Sequence, residues 1–148
     1  MVGSRPMEIL LVDDSRGDAR LVKEALREEA PLDTLHHVID GVEAMAFLHR
    51  NGAYADKPRP DIVLLDLNMP KMDGREVLRA IKSDPSLKTI PVVTLTTSTQ
   101  REDVDYCYST GVNAFISKPV NLDDFIHTVR QFKQFWLSVA TLPHPHAA

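Results

Sequence analysis

The sequence predicts an α/β fold: a doubly wound, five-stranded parallel sheet with an extended C-terminal helix. Three observations predict it. Five short apolar runs alternate with five stretches of helical periodicity. Most of the runs are too short for a helix and apolar throughout, as strands covered on both faces are. Strands separated by crossover helices pair in parallel, with helices on both sides of the sheet.

The elements follow in order. "EILLV" (8–12) is the first strand. "DARLVKEALREE" (18–29) places Ala19, Val22, Ala25 and Leu26 on one helical face, with charges elsewhere. "TLHHVI" (34–39) alternates weakly and reads as the second strand; "GVEAMAFLHR" (41–50) is a helix, and 51–60 is a turn-rich connector. "IVLL" (62–65) is the third strand, and "REVLRAIKS" (75–83) is a helix stopped before Pro85. "PVVTL" (91–95) is the fourth strand, with proline first, where a missing N–H does least harm. A helix over 101–110 closes on Gly111, and "NAFIS" (113–117) is the fifth strand. Asn121 is the natural N-cap of a last helix over 122–140, with Asp123 and Asp124 favourable in its first turn.

Composition bounds the rest. A chain of 148 residues is one domain by length and buries a core without staples. The expected division is a disordered arm over 1–6, a domain over 7–140 and a tail over 141–148. A net charge of −4 argues against nucleic acid as the main partner. No apolar run approaches the ~20 residues that span a bilayer, so a membrane role is not expected. The single cysteine, Cys107, suits a reducing compartment, and the expected location is the cytoplasm. It reads as a small buried hydrophobe. His36, His37, His49 and His127 have no metal-ligand spacing and read as packing or surface; His144 and His146 fall in the tail.

The chemistry collects on one rim. Asp13 and Asp14 follow the first strand, Asp66 the third, Thr96, Thr97 and Ser98 the fourth, and Lys118-Pro119 the fifth. Ligands of doubly wound sheets bind outside the carboxyl ends of the strands. Three converging carboxylates repel, and protonation or a cation must offset that. Oxygen donors without His or Cys select a hard cation, Mg²⁺ or Mn²⁺. A carboxylate beside such an ion can attack phosphorus, with a lysine and a hydroxyl stabilising the phosphoryl oxygens.

These residues, with "VDD" (12–14), "LLDLNMPKMDG" (64–74), "PVVTLTTS" (91–98) and "GVNAFISKP" (111–119), resemble the receiver domains of two-component response regulators over roughly 7–135. The resemblance implies a flavodoxin-like fold and a signalling switch that is not an enzyme. It implies Asp66 as phosphoacceptor for a sensor histidine kinase. It implies direct metal binding by Asp14, Asp66 and the backbone carbonyl of Asn68, with Asp13 acting mainly through water. Thr96, rather than Thr97, is the implied switch hydroxyl, Lys118 the phosphoryl partner, and Phe115 the switch aromatic, here without a hydroxyl. A cis peptide before Pro119 is also implied. More narrowly, "GDARLVKEAL", the connector, "VVTLTTS" and "FKQFWL" resemble the regulators that partner phytochrome-type kinases.

Two neighbouring functions stay open at this point: a relay shuttle to a histidine phosphotransfer protein, and an aspartyl-phosphate phosphatase. The common phosphatase pattern wants a second Asp two residues after the nucleophile, where Asn68 stands. A flavodoxin-like phosphate-binding module would need glycines where "DDSRGD" is acidic. With no output domain expected after 140, action by protein contact is the expectation.

The last helix carries an apolar stripe, Leu122, Phe125, Val129, Phe132, Trp136 and Val139, widened by Ile126, Phe135 and Leu137. Over 122–140 it is ~28 Å long. Its aromatic end predicts an isologous homodimer, with Phe132, Phe135 and Trp136 at the interface.

Overall fold

The computed structural model describes residues 6–28 and 33–143. Strands β1 (Glu8–Val12), β2 (Thr34–Val38), β3 (Ile62–Leu65), β4 (Val92–Thr96) and β5 (Ala114–Ser117) form one parallel sheet in the order β2-β1-β3-β4-β5. The order reverses between β1 and β3, which is where doubly wound sheets open a crevice. Helices α1 (Arg16–Arg27), α2 (Gly41–Leu48), α3 (Gly74–Ser83) and α4 (Arg101–Thr110) join successive strands, and α5 (Leu122–Phe132) follows β5.

Alternation along the strands divides the core into two layers. Leu10, Val12, Val63, Leu65 and Val92 face α2, α3 and α4, packing on Phe47, Leu78, Ile81 and Cys107. Ile9, Leu11, Ile62, Leu64, Val93 and Leu95 face α1 and α5, packing on Val22, Leu26, Phe125, Val129 and Phe132. β1 and β3 are apolar throughout because both faces are covered. Cys107 is buried in the first layer, and burial pushes its thiol pKa up to about 11.

Local chemistry sets the element ends that bear on the rim. Ser15 caps α1 by accepting the Asp18 N–H, so the helix starts at Arg16 rather than at 18. It closes at Arg27, and the expected last residue of that helix, 29, lies outside the described residues. Asp73 and Glu76 form a reciprocal capping box at α3. Register with Ser117 carries β4 one residue further than expected, so Thr96 is its last residue.

The C-terminal segment corrects two expectations. The α-helix stops at Phe132, and 133–139 continue as a wider π-helical turn, whose end is marked by a bond from Ala140 N–H to the Phe135 carbonyl, 2.7 Å. The chain then turns back, and Leu142 packs on the second core layer with Trp136 and Leu137. The apolar stripe has therefore found a covering surface in its own domain. Phe132 is 4% exposed and belongs to the core, so it offers a second copy almost nothing. Trp136 is half-buried; of the stripe, Leu122 at its start and Phe135 and Val139 at its end are broadly open. The tail is accordingly tied down as far as 143; the remainder of it, 144–148, and residues 1–5 of the expected arm lie outside the described residues.

Candidate functional site

Every candidate residue of the acidic rim comes from the segment just beyond a strand, and the sheet brings them together. Asp13 leaves β1 with its N–H still bonded to the Val38 carbonyl at 3.0 Å, and Asp66 leaves β3 with its N–H bonded to Val12 at 2.9 Å. These bonds fix both Cα positions at the crevice. One carboxylate oxygen each from Asp13, Asp14 and Asp66 lies within 4.8 Å of the others. Asp13 and Asp66 are buried while Asp14 is exposed, so the cluster is open on one side. All the donors are oxygens, which fits a hard divalent ion such as Mg²⁺ or Mn²⁺.

Lys118 reaches this cluster from the end of β5. Its Nζ donates to Asp13 Oδ2 at 2.8 Å and to Asp18 Oδ2 at 3.0 Å, and stands 3.7 Å from Asp66 Oδ2. The Lys118 backbone N–H donates to the Thr96 carbonyl at 2.6 Å, which ties the lysine to the end of β4. Among the described residues no peptide bond is cis, so the implied cis bond before Pro119 is absent.

The charges explain the titration. Burial raises the Asp13 carboxyl above its ordinary value and Asp66 adds repulsion, against the opposing pull of Lys118 and the Ser15 N–H. Burial works against the Lys118 ammonium, yet its bond to Asp13 and the charges of Asp13 and Asp66, with Asp18, carry its pKa above that of a free lysine.

The loop after β3 is held from two sides. Asn68, exposed, turns its N–H toward Asp66 Oδ1 at 3.4 Å. The Gly41 N–H donates to the Met72 carbonyl at 3.0 Å, and Lys71, at φ 64°, lies 3.6 Å from the buried Asp40. The Gly74 N–H donates to the Leu67 carbonyl at 2.9 Å, and a Cβ on Gly74 would sit 2.1 Å from the Asp66 carbonyl oxygen.

Thr96 is fully buried at the lip, its hydroxyl accepting from the Ser98 N–H at 3.4 Å. Ser98 in turn donates to Asp103 of α4, which pairs with Arg75 at the start of α3 at 2.8 Å. Phe115 is half-buried against the first core layer, and its N–H donates to the Tyr108 hydroxyl at 3.2 Å. Phe132, Phe135 and Trp136 lie apart from the acidic cluster, on the face formed by β5 and the last helix.

Sequence reasoning missed three contributors. Asp18 read only as a polar helix residue, although an acid at the third position of a capped helix points its carboxylate at whatever lies over the helix start. His37 read as packing or surface, yet its Nε2 donates to the Asp13 carbonyl at 2.7 Å. Gly41 carried no signal beyond a helix start.

Comparison with known proteins places this geometry. The family described as response regulator receiver domain matches residues 9–130. Response regulator Rcp1 of Synechocystis sp. is 49% identical over 138 residues, spanning 93% of this chain and 94% of that protein. A solved structure of the phosphorylated cyanobacterial phytochrome response regulator RcpA superposes with a TM-score of 0.92 at 48% identity, covering 95% of this chain and 100% of that one. The Mn(2+)-bound form of Rcp1 superposes with a TM-score of 0.91 at 49% identity, covering 94% and 100%. With one family matched along most of its length, and with three carboxylates and a lysine gathered at the switch point of its sheet, the chain belongs to the response regulator receiver domain family.

Proposed function

We propose that this receiver takes a phosphoryl group from a sensor histidine kinase onto Asp66 and signals by protein contact rather than by catalysis. The observation that carries the reading is the convergence of Asp13, Asp14 and Asp66 around one point, with the Lys118 Nζ 3.7 Å from Asp66. In the transfer, the P–N bond of a phosphohistidine breaks as an Asp66 oxygen forms its P–O bond, and the imidazole keeps the electron pair. Asp14, Asp66 and the Asn68 carbonyl would hold Mg²⁺ or Mn²⁺, with Asp13 reaching it through water. Such an ion offsets carboxylate repulsion and adds positive charge beside the phosphoryl oxygens. Lys118 pairs with the transferred group, Thr96 turns its hydroxyl to it, and Phe115 reports the change to the face formed by α4, β5 and α5.

The similarity to Rcp1 and RcpA supports a phytochrome-type kinase as donor. The exposed Phe135 and Val139 support a second copy of the chain as a partner. The cytoplasm, where kinases draw on ATP, is the compartment this reading requires. Asp66→Asn tests the acceptor: an amide is not a nucleophile here, so label from acetyl phosphate or kinase should vanish while the fold persists. Labelling of the variant at wild-type stoichiometry would sink the assignment.

A further inference from the structure

We propose that Asp18 is a positioning residue that competes with the incoming phosphoryl group for Lys118; the inference rests on the reading of Asp66 as acceptor. The Lys118 ammonium touches Asp13 at 2.8 Å and Asp18 at 3.0 Å, but stands 3.7 Å from Asp66. Its side chain is 5% exposed, enclosed by the carboxylates it serves. An ammonium has three N–H donors. Two of the three already serve Asp13 and Asp18, so a phosphoryl group on Asp66, which brings several acceptor oxygens and negative charge, finds one donor free and competes for the others.

The two resident partners differ in what release costs them. Asp13 is 1% exposed, so losing the ammonium would leave a buried carboxylate without its partner. Asp18 is 35% exposed, at the mouth of the site. Its backbone is fixed by the bond to Ser15, yet its carboxylate can turn outward and be hydrated. Asp18 is therefore the contact that yields. While it stays charged, it draws Lys118 away from Asp66 and repels any anion that approaches. It touches neither the metal cluster nor the acceptor, and it acts through the lysine.

Beryllofluoride, a phosphoryl mimic, tests this in calorimetric titrations at saturating Mg²⁺. Asp18→Asn should bind it about fivefold more tightly than wild type, as expected for removing one partly screened charge a few ångströms away. Titrated with Mg²⁺ alone, the same variant should bind no more tightly than wild type, because a lost negative charge does not attract a cation. Asp18's place in the first turn of α1 would not by itself raise one affinity without the other. Asp18→Glu, which keeps the charge, should return beryllofluoride binding toward the wild-type value. If wild type binds beryllofluoride and Asp18→Asn binds it equally or less well, the competition is overturned. If wild type itself fails to bind, the reading of Asp66 beneath it is overturned instead.

Discussion

Asp13 is electrostatically strained at the rim. It is buried beside Asp66, and its pKa is raised despite the bond to Lys118. A carboxyl whose folded pKa exceeds its unfolded value binds its proton more tightly in the native state. Its contribution to stability is then present below the ordinary value of 3.8 and is lost as pH rises through the raised folded value. At neutral pH without divalent ions, the charged form is a net burden. Asp13→Asn, whose amide oxygen still accepts from Lys118, should be neutral or stabilising by about 1 kcal/mol in chelator. Mg²⁺ should raise the wild-type melting temperature by linkage and raise that of the variant less. A clear loss of stability in the variant, with a wild-type melt indifferent to Mg²⁺, would show that the carboxylates do not share a site. The carboxylates themselves were legible in the sequence, since each directly follows an apolar strand. Asp18 was not, because its contact with Lys118 spans 100 residues of chain and depends on the packing that brings the start of α1 beside the end of β5. His37 escaped for a similar reason: its partner is a backbone carbonyl, which leaves no trace in residue type.

At the level of elements, the start of α2 and the loop after β3 are fitted against each other. A Cβ on Gly41 would lie 2.1 Å from the Met72 carbonyl oxygen and 2.8 Å from its carbon, both backbone atoms that cannot move aside alone. Gly41→Ala must shift the loop that carries Asn68, and should destabilise by roughly 2 kcal/mol or more. It should also weaken Mg²⁺ binding. Gly17, in the first turn of α1, is the control: nothing lies within 4 Å of its added Cβ. Gly17→Ala should stabilise by about 0.5 kcal/mol through the unfolded chain. Equal effects of the two alanines in denaturant melts would mean that Gly41 has no fitting role. Elements were the most legible scale, because burial on both faces writes strands as apolar runs and helices as a periodic stripe. Their ends were less so. α1 begins two residues early because Ser15, not the apolar pattern, decides where it starts. The α-to-π change at Lys133 leaves no mark in the apolar periodicity, which runs on through 139.

For the molecule as a whole, the unresolved balance lies at its aromatic end. Trp136, Leu137 and Leu142 cover the second core layer, so a large part of the stripe is satisfied within one chain. What remains is Phe135, 50% exposed and edge-on to Trp136 at 5.3 Å, with Val139 at 64%. Beside them run Ala114 and Ile116 of the edge strand β5, both half-buried. Burying two copies of this patch would contribute several kcal/mol, of the same order as the lower estimates, ~4 kcal/mol, of what association costs. A micromolar dimer needs about 8 kcal/mol net, so the dimer proposed above requires further contacts around this patch. The two aromatic positions should also respond differently to the same charge. Phe135→Glu places a carboxylate at the exposed centre and should give a folded monomer that still accepts phosphate on Asp66. Trp136→Glu buries a charge against the chain's own core and should lower stability by about 2–4 kcal/mol, whatever the state of association. Sedimentation and thermal melts of both variants separate the two effects. A wild type that sediments as a monomer at micromolar concentration, with and without beryllofluoride, would show that the patch serves some other contact; equal stability of the two glutamate variants would show that Trp136 does not hold the end of the chain to the sheet.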